Sequence, residues 1–227
     1  MLKKPLQTIP QDIFRAYDIR GEMGGTLSPE FATLLGQAFA TFVATKTGVS
    51  HPVIVTARDG RQSSPVLSQA LISGLTDGGA FVKDCGLGPT PLCYFGAERL
   101  AAHGGIMVTG SHNPPTHNGF KMVCGGNSVY GDDIQTLYGL MVNGALNTGQ
   151  NGRCDVVCEA GAYLEKLKTA LQPNGRKLKA VWDPGNGAAG EICKRLVAGL
   201  PGTHTVINGD IDGTFPNHHP DPTLPEN

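Results

Sequence analysis

The sequence lacks an excess of charge of either sign: 18 lysines and arginines stand against 19 aspartates and glutamates, a net charge of −1. No basic block stands out, so binding along a nucleic-acid phosphate backbone has little support. A long hydrophobic run is missing too. No stretch of about 18 apolar residues occurs, and no membrane span is expected. The first residues, MLKKPLQTIPQ, are basic without an apolar core, which argues against a secretory leader. Cys-x-x-Cys pairs are absent among the six cysteines, Cys85, Cys93, Cys124, Cys154, Cys158 and Cys193. Cys154 and Cys158 have no Cys or His pair nearby to complete a zinc site. Without a leader, the thiols are expected to be reduced and mostly buried, in a cytoplasmic protein.

What is present is enough apolar residue for a core, 40% of the chain. The 32 glycines and 16 prolines make up about a fifth of the 227 residues, below the roughly 25–30% of low-complexity chains. At about 100–200 residues per domain, the length allows one large domain or two small ones.

Strand and helix patterns alternate along the chain. Ser28 is a candidate N-cap, with Pro29 at the first helical position and Glu30 at the positive helix end. Phe31, Leu34, Leu35, Ala38, Phe39, Phe42 and Val43 then follow three- and four-residue spacings. Val53–Val55 reads as a buried strand running into Arg58-Asp59-Gly60-Arg61. Ser64-Pro65 opens a second helix. Strands are expected at 80–82, 106–108 and 120–123, and helices from Thr90 and over 132–142. Residues 143–154 have a linker composition. Beyond it lie a helix at about 160–171, a strand at 178–182 ending in Asp183-Pro184-Gly185-Asn186-Gly187, and a helix through Ile192 to Leu200. This strand–turn–helix is similar to the one at 53–75, so a weak internal repeat is plausible on the pattern. The predicted class is α/β: two successive three-layer α/β/α domains with mixed sheets, 1–150 and 151–227. The second is expected to be truncated, because a strand–helix layer needs partners on both faces.

The densest polar motif, Thr109-Gly110-Ser111-His112-Asn113-Pro114-Pro115, comes directly after the strand at 106–108. In open α/β sheets ligands bind beyond the carboxyl ends of strands. Gly110 allows unusual backbone conformations, and Pro114 and Pro115 stiffen the C-terminal side of the loop. These residues are also turn formers, so a plain polar turn is the competing reading. Serine-hydrolase chemistry ranks low: Asn113 stands where a G-x-S-x-G elbow needs its second glycine.

T-G-S-H-N-P-P with N-G-F-K at 118–121 resembles the active-site serine loop of the α-D-phosphohexomutase superfamily, in its phosphomannomutase/phosphoglucomutase branch. Three more segments agree in order: F-R-A-Y-D-I-R-G at 14–21, R-D-G-R with S-P at 58–65, and D-G-T-F-P-N-H-H-P-D-P at 212–222. The resemblance implies an isomerase, an intramolecular phosphotransferase. It would interconvert hexose 1-phosphate and hexose 6-phosphate of mannose or glucose through hexose 1,6-bisphosphate. Ser111 would be the phosphoserine, needing cationic partners for its charge. Arg20 would approach the transferring phosphate, its planar fork suited to bidentate contact; a salt bridge with Asp18 or Glu22 is the plainer alternative. Lys121 would be general acid or base, His112 a phosphate-orienting group, and Tyr17, Arg15 and Asn113 substrate contacts. Mg²⁺ would be held by a phosphoryl oxygen on Ser111 and three aspartates of a D-G-D-x-D-R loop, which is not found here and is expected beyond residue 227. His218 and His219 are expected in an extended, proline-bounded loop that supports the site rather than in a metal site. The implied partners are a phosphosugar and the remaining C-terminal domains of the same enzyme, with no nucleic acid and no membrane. Residues 1–227 alone are expected to be inactive. The alternatives are a phosphoglucosamine mutase fragment and a non-catalytic module binding phosphorylated ligands or a partner. Oligomeric state stays open.

Overall fold

The computed structural model describes residues 9–149, 151–170 and 177–227. The basic start (1–8), residue 150 at the expected domain boundary and the last expected helical residue, 171, lie outside them. A 3-10 turn, Gln11–Ile13, leads into β1 (Ile19–Glu22). The first unit continues with α1 (Pro29–Thr47), β2 (Val53–Arg58), α2 (Ser64–Asp77), β3 (Phe81–Leu87), α3 (Thr90–Arg99), β4 (Gly104–Val108), β5 (His117–Cys124), β6 (Asn127–Ser128), α4 (Asp132–Asn143) and β7 (Arg153–Val156). The rest comprises α5 (Ala160–Thr169), β8 (Leu178–Trp182), α6 (Gly190–Val197) and β9 (Gly202–Val206).

The first sheet has the order β1-β5-β4-β2-β3-β7, with β6 beside β5. It is mixed: β2, β3, β4 and β7 run parallel, while β5 is antiparallel to both β1 and β4. Helices α1, α2 and α4 cover one face, where Phe31, Phe39, Ile54, Ile106 and Phe120 are buried. Burying each such side chain contributes about 1.5–3 kcal/mol. The other face is covered by α3, whose Cys93 packs with Val55, Ala57 and Met107 of the sheet. The Ser28 cap forms as its sequence suggests, the Oγ accepting the Phe31 N–H at 3.2 Å. Helices α1 and α2 meet backbone to backbone. A Cβ on Gly36 would stand 2.7 Å from Leu75 N, and one on Gly74 2.7 Å from the Thr33 carbonyl carbon. In the second unit β8 and β9 pair in parallel, and α5 packs against α6 and α3. Among the described residues, no helix is long and apolar enough to cross a membrane.

Three expectations change. The 143–154 linker is shorter than its composition suggests: α4 runs through Asn143, and Arg153–Val156 adds an edge strand to the first sheet. All four β7 residues are exposed, so no apolar alternation announces the strand. It is held by backbone pairing, by Lys83–Asp155 at 2.7 Å and by the Arg153 guanidinium 4.4 Å from the Phe81 ring centre. The thiols are not mostly buried: Cys93 is, while Cys154 on that edge strand and Cys158 are exposed. Finally, the 212–227 segment is a series of turns rather than an extended strap. Asp212 captures the N–H and hydroxyl of Thr214, and Asp221 does the same with Thr223.

Candidate active site

The serine loop leaves the sheet at the carboxyl end of β4. Thr109 N–H donates to the Gly119 carbonyl on β5 at 2.9 Å, and Thr109 Oγ1 accepts the Ser111 N–H at 2.9 Å. Between them the chain turns so sharply that Ser111 has φ +52°. A non-glycine residue there is strained and persists only where its surroundings over-determine it.

Those surroundings come from the turn after β2. Arg61 is 1% exposed, and its Nη atoms donate to the carbonyls of Ser111, Asn113, Pro114 and His117. Its Nε pairs with Asp59 at 3.2 Å. Asp59 also accepts N–H groups from Arg61 and Gly110, and the Ser64 hydroxyl. Burial pulls the Arg61 guanidinium below its ordinary value, while Asp59 opposes the shift. Buried Asn118 closes the network, donating to Ser63 and Ser64 and accepting the Gly119 N–H. Sequence reasoning finds Arg61 within its motif and gives it no role. The only signal available is the Asp-Gly-Arg spacing itself.

Ser111 and His112 line a cavity of about 230 Å³ with Asp59, Thr90, Met107 and Phe215. Its far wall, Pro184 to Ala189 without Gly185, belongs to the second unit. A larger open hollow of about 570 Å³ at the other end of β2, beside His51 and Asn147, contains none of the motif residues. Asn113 uses its side-chain amide on the loop itself, donating to the Gly110 carbonyl at 2.8 Å.

Arg20, Lys121 and Tyr17 form a second group around buried Asp18. Asp18 Oδ2 accepts from Arg20 Nε at 2.7 Å and from Lys121 Nζ at 3.1 Å; Oδ1 is buried without a partner among the described residues. Both cations approach the exposed Tyr17 ring at 5.4 Å from its centre. Burial works to lower Arg20, but the Asp18 bond and charge overrule it and hold the guanidinium above its ordinary value. Thus the salt bridge allowed as the plainer reading of Arg20 is present, together with the lysine. Register ties this group to the loop: Arg20 faces Gly119, and Lys121 faces Met107, a cavity-wall residue. Arg15 is exposed and its side chain joins neither group.

No cysteine lines the cavity, and burial pushes the Cys93 thiol up and Cys85 up to about 12. Among the described residues no three His, Cys, Asp or Glu side chains converge as a metal site would require. His218 binds Asp183 at 3.0 Å through Nε2, and His219 Nδ1 accepts the Asp221 N–H.

The family model for phosphoglucomutase/phosphomannomutase, alpha/beta/alpha domain I, matches residues 11–147. The chain belongs to this family. A phosphoglucomutase of Neisseria meningitidis serogroup B is 41% identical over 223 residues, 98% of this chain and 48% of the relative. A phosphomannomutase/phosphoglucomutase of Pseudomonas putida is 42% identical over 219 residues, 96% and 46% respectively. The crystal structure of a phosphoglucomutase/phosphomannomutase family protein from Burkholderia thailandensis superposes with a TM-score of 0.88 at 44% identity, covering 96% of this chain and 48% of that one. The chain spans about half the length of the curated relatives it matches. Its mixed α/β architecture is that of the family.

Proposed function

We propose that this chain carries the phosphoserine half of a phosphohexomutase that interconverts hexose 1-phosphate and hexose 6-phosphate of mannose or glucose. The observation that carries the reading is Ser111 at φ +52°, held rigidly on the wall of a cavity between the two units. Phosphoryl transfer depends on in-line positioning and charge neutralisation, which a fixed hydroxyl serves. Phosphorylated Ser111 passes its phosphoryl group to the free sugar hydroxyl, giving the 1,6-bisphosphate and a serine hydroxyl. The bisphosphate then returns its other phosphoryl group to Ser111 and leaves as the isomer. Lys121 takes the proton of the attacking sugar hydroxyl while the departing Ser111 Oγ takes one up from water; when the Ser111 hydroxyl attacks the bisphosphate, its proton goes back to water and Lys121 gives its own to the departing sugar oxygen. Arg20 offsets charge on the group in transit, and His112 orients it. Tyr17, Arg15 and Asn113 would contact the substrate. A phosphoryl oxygen on Ser111 would be this chain's ligand to Mg²⁺, which would supply charge stabilisation to the group in transit; its aspartate ligands are expected beyond residue 227. The phosphosugar is the small-molecule partner, further C-terminal domains are the protein partner, and the free thiols suit the cytoplasm.

The test is intact mass after incubation of the full-length protein with hexose 1,6-bisphosphate. One added phosphoryl group is expected, and Ser111→Ala should abolish it. Uptake that survives Ser111→Ala, or labelling of Ser111 by a fluorophosphonate, overturns the reading. Residues 1–227 alone should not interconvert glucose 1-phosphate and glucose 6-phosphate at an enzymatic rate.

A further inference from the structure

Arg61 has five N–H donors, and each has an acceptor. Nε donates to Asp59 Oδ2 at 3.2 Å. Nη1 donates to Pro114 O at 2.6 Å and His117 O at 3.0 Å; Nη2 donates to Ser111 O at 2.9 Å and Asn113 O at 2.7 Å. Four of the five acceptors are main-chain carbonyls of the serine loop, and Asp59 holds the loop's Gly110 N–H from the other side. With the Ser111 carbonyl drawn inward, the trans peptide turns the His112 N–H the opposite way, out of the interior. A planar five-donor fork meets this arrangement; a lysine ammonium with three donors on a flexible stem does not.

The second unit closes on the same arginine. The Phe215 ring centre is 5.0 Å from Arg61 Cζ. A Cβ on Gly213 would stand 2.5 Å from both Arg61 Cα and the Gly60 carbonyl oxygen, and one on Gly60 would overlap the Ile211 side chain. Residues 211–215 therefore press directly on the 60–61 backbone.

We propose that Arg61 is a positioning residue for Ser111, and that the 211–215 segment, through Phe215, keeps it in place. The second unit thereby controls the geometry of a loop in the first. The inference rests on reading Ser111 as the phosphoryl carrier, though the loop geometry can be tested without it.

Three measurements on the full-length protein carry the test: thermal midpoint, amide hydrogen exchange by peptide, and single-turnover phosphoryl transfer from hexose 1,6-bisphosphate to Ser111. Arg61→Lys should speed exchange about 10-fold in peptides covering 109–118 and leave α1 and β2 peptides unchanged. Phosphoryl transfer should fall about 100-fold while KM for hexose 1-phosphate moves less than about 3-fold, as expected for lost alignment. Phe215→Leu removes the ring and none of the hydrogen bonds. It should give about a 5-fold effect in the same peptides, which keeps the idea testable if Arg61→Lys does not fold. Unchanged exchange in 109–118 in Phe215→Leu, or normal exchange and transfer in Arg61→Lys, overturns the proposal. So does faster exchange spread evenly over all peptides. If the unaltered protein takes up no phosphoryl group yet loop exchange responds as stated, the mutase reading fails and the positioning of the loop stands.

Discussion

Two turns in this chain begin alike and end differently. After β2, Asp59 accepts the N–H of Arg61; after β8, Asp183 accepts the N–H of Gly185, again two residues on. Each then leads into a helix. The first aspartate pairs with an arginine side chain that is 1% exposed, and the pair anchors the serine loop. The second pairs with His218 across a surface where the side chains are 30% and 26% exposed. Local chemistry sets the turn in both. Burial decides that one becomes a structural hub with a permanent charge and the other a solvent-exposed bridge that titrates.

Breaking the first turn should cost most. Arg61→Met leaves four carbonyls without their donor and Asp59 without its counter-charge, and a loss of about 3–5 kcal/mol is expected in denaturant unfolding. A loss no larger than that at the second turn would remove burial as the distinction. Next comes Gly213→Ala, which drives a methyl group into the Arg61 backbone; roughly 1–3 kcal/mol is expected from the same measurement. Asp183→Asn at the exposed turn should cost no more than about 1 kcal/mol.

The smallest effect is the most diagnostic, because only the second turn responds to pH near neutrality. The His219 carbonyl and then Asp183 hold His218 above its ordinary value. Burial works to raise Asp183, but the Gly185 N–H, His218 and Asn208 hold it below. A raised histidine contributes stability that is fully present below its unfolded value of about 6.5 and is lost as pH rises through the folded one. The thermal midpoint should therefore decline between about pH 5.5 and about pH 8 more steeply than in His218→Gln. Parallel profiles would show that the bridge carries no charge-dependent stability.

Much of the architecture is readable from residue patterns because strong local signals coincide with elements. The Ser28-Pro29 cap, the apolar stripe of α1 and the strand at 178–182 appear where their residues imply. β1 and β9 escape such a reading: β1 is four residues long with a glycine at its second inward position, and the Gly-Thr-His-Thr-Val run of β9 carries one large apolar residue and is largely open to solvent. β7 is hidden for a related reason, since an edge strand held by backbone pairing needs no apolar face. At the site, the family resemblance points to Ser111, Arg20 and Lys121. It cannot show that Arg20 and Lys121 share one oxygen of Asp18, because these residues are about 100 positions apart and meet only through β1–β5 pairing.

The sequence by itself determined the α/β alternation, the turn after each strand, and a serine in a stiff loop at the end of a buried strand. Local backbone preference and hydrophobic spacing are enough for that. Only the tertiary structure decided that the balanced charges are distributed unevenly, with Asp18, Asp59 and Arg61 taken into the interior among mostly exposed ions. An ion leaves water only where partners from distant segments replace its hydration, and such partners are created by folding. The nearly balanced charges thus also supply the buried pairs that hold the Ser111 loop, Arg20 and Lys121 in place.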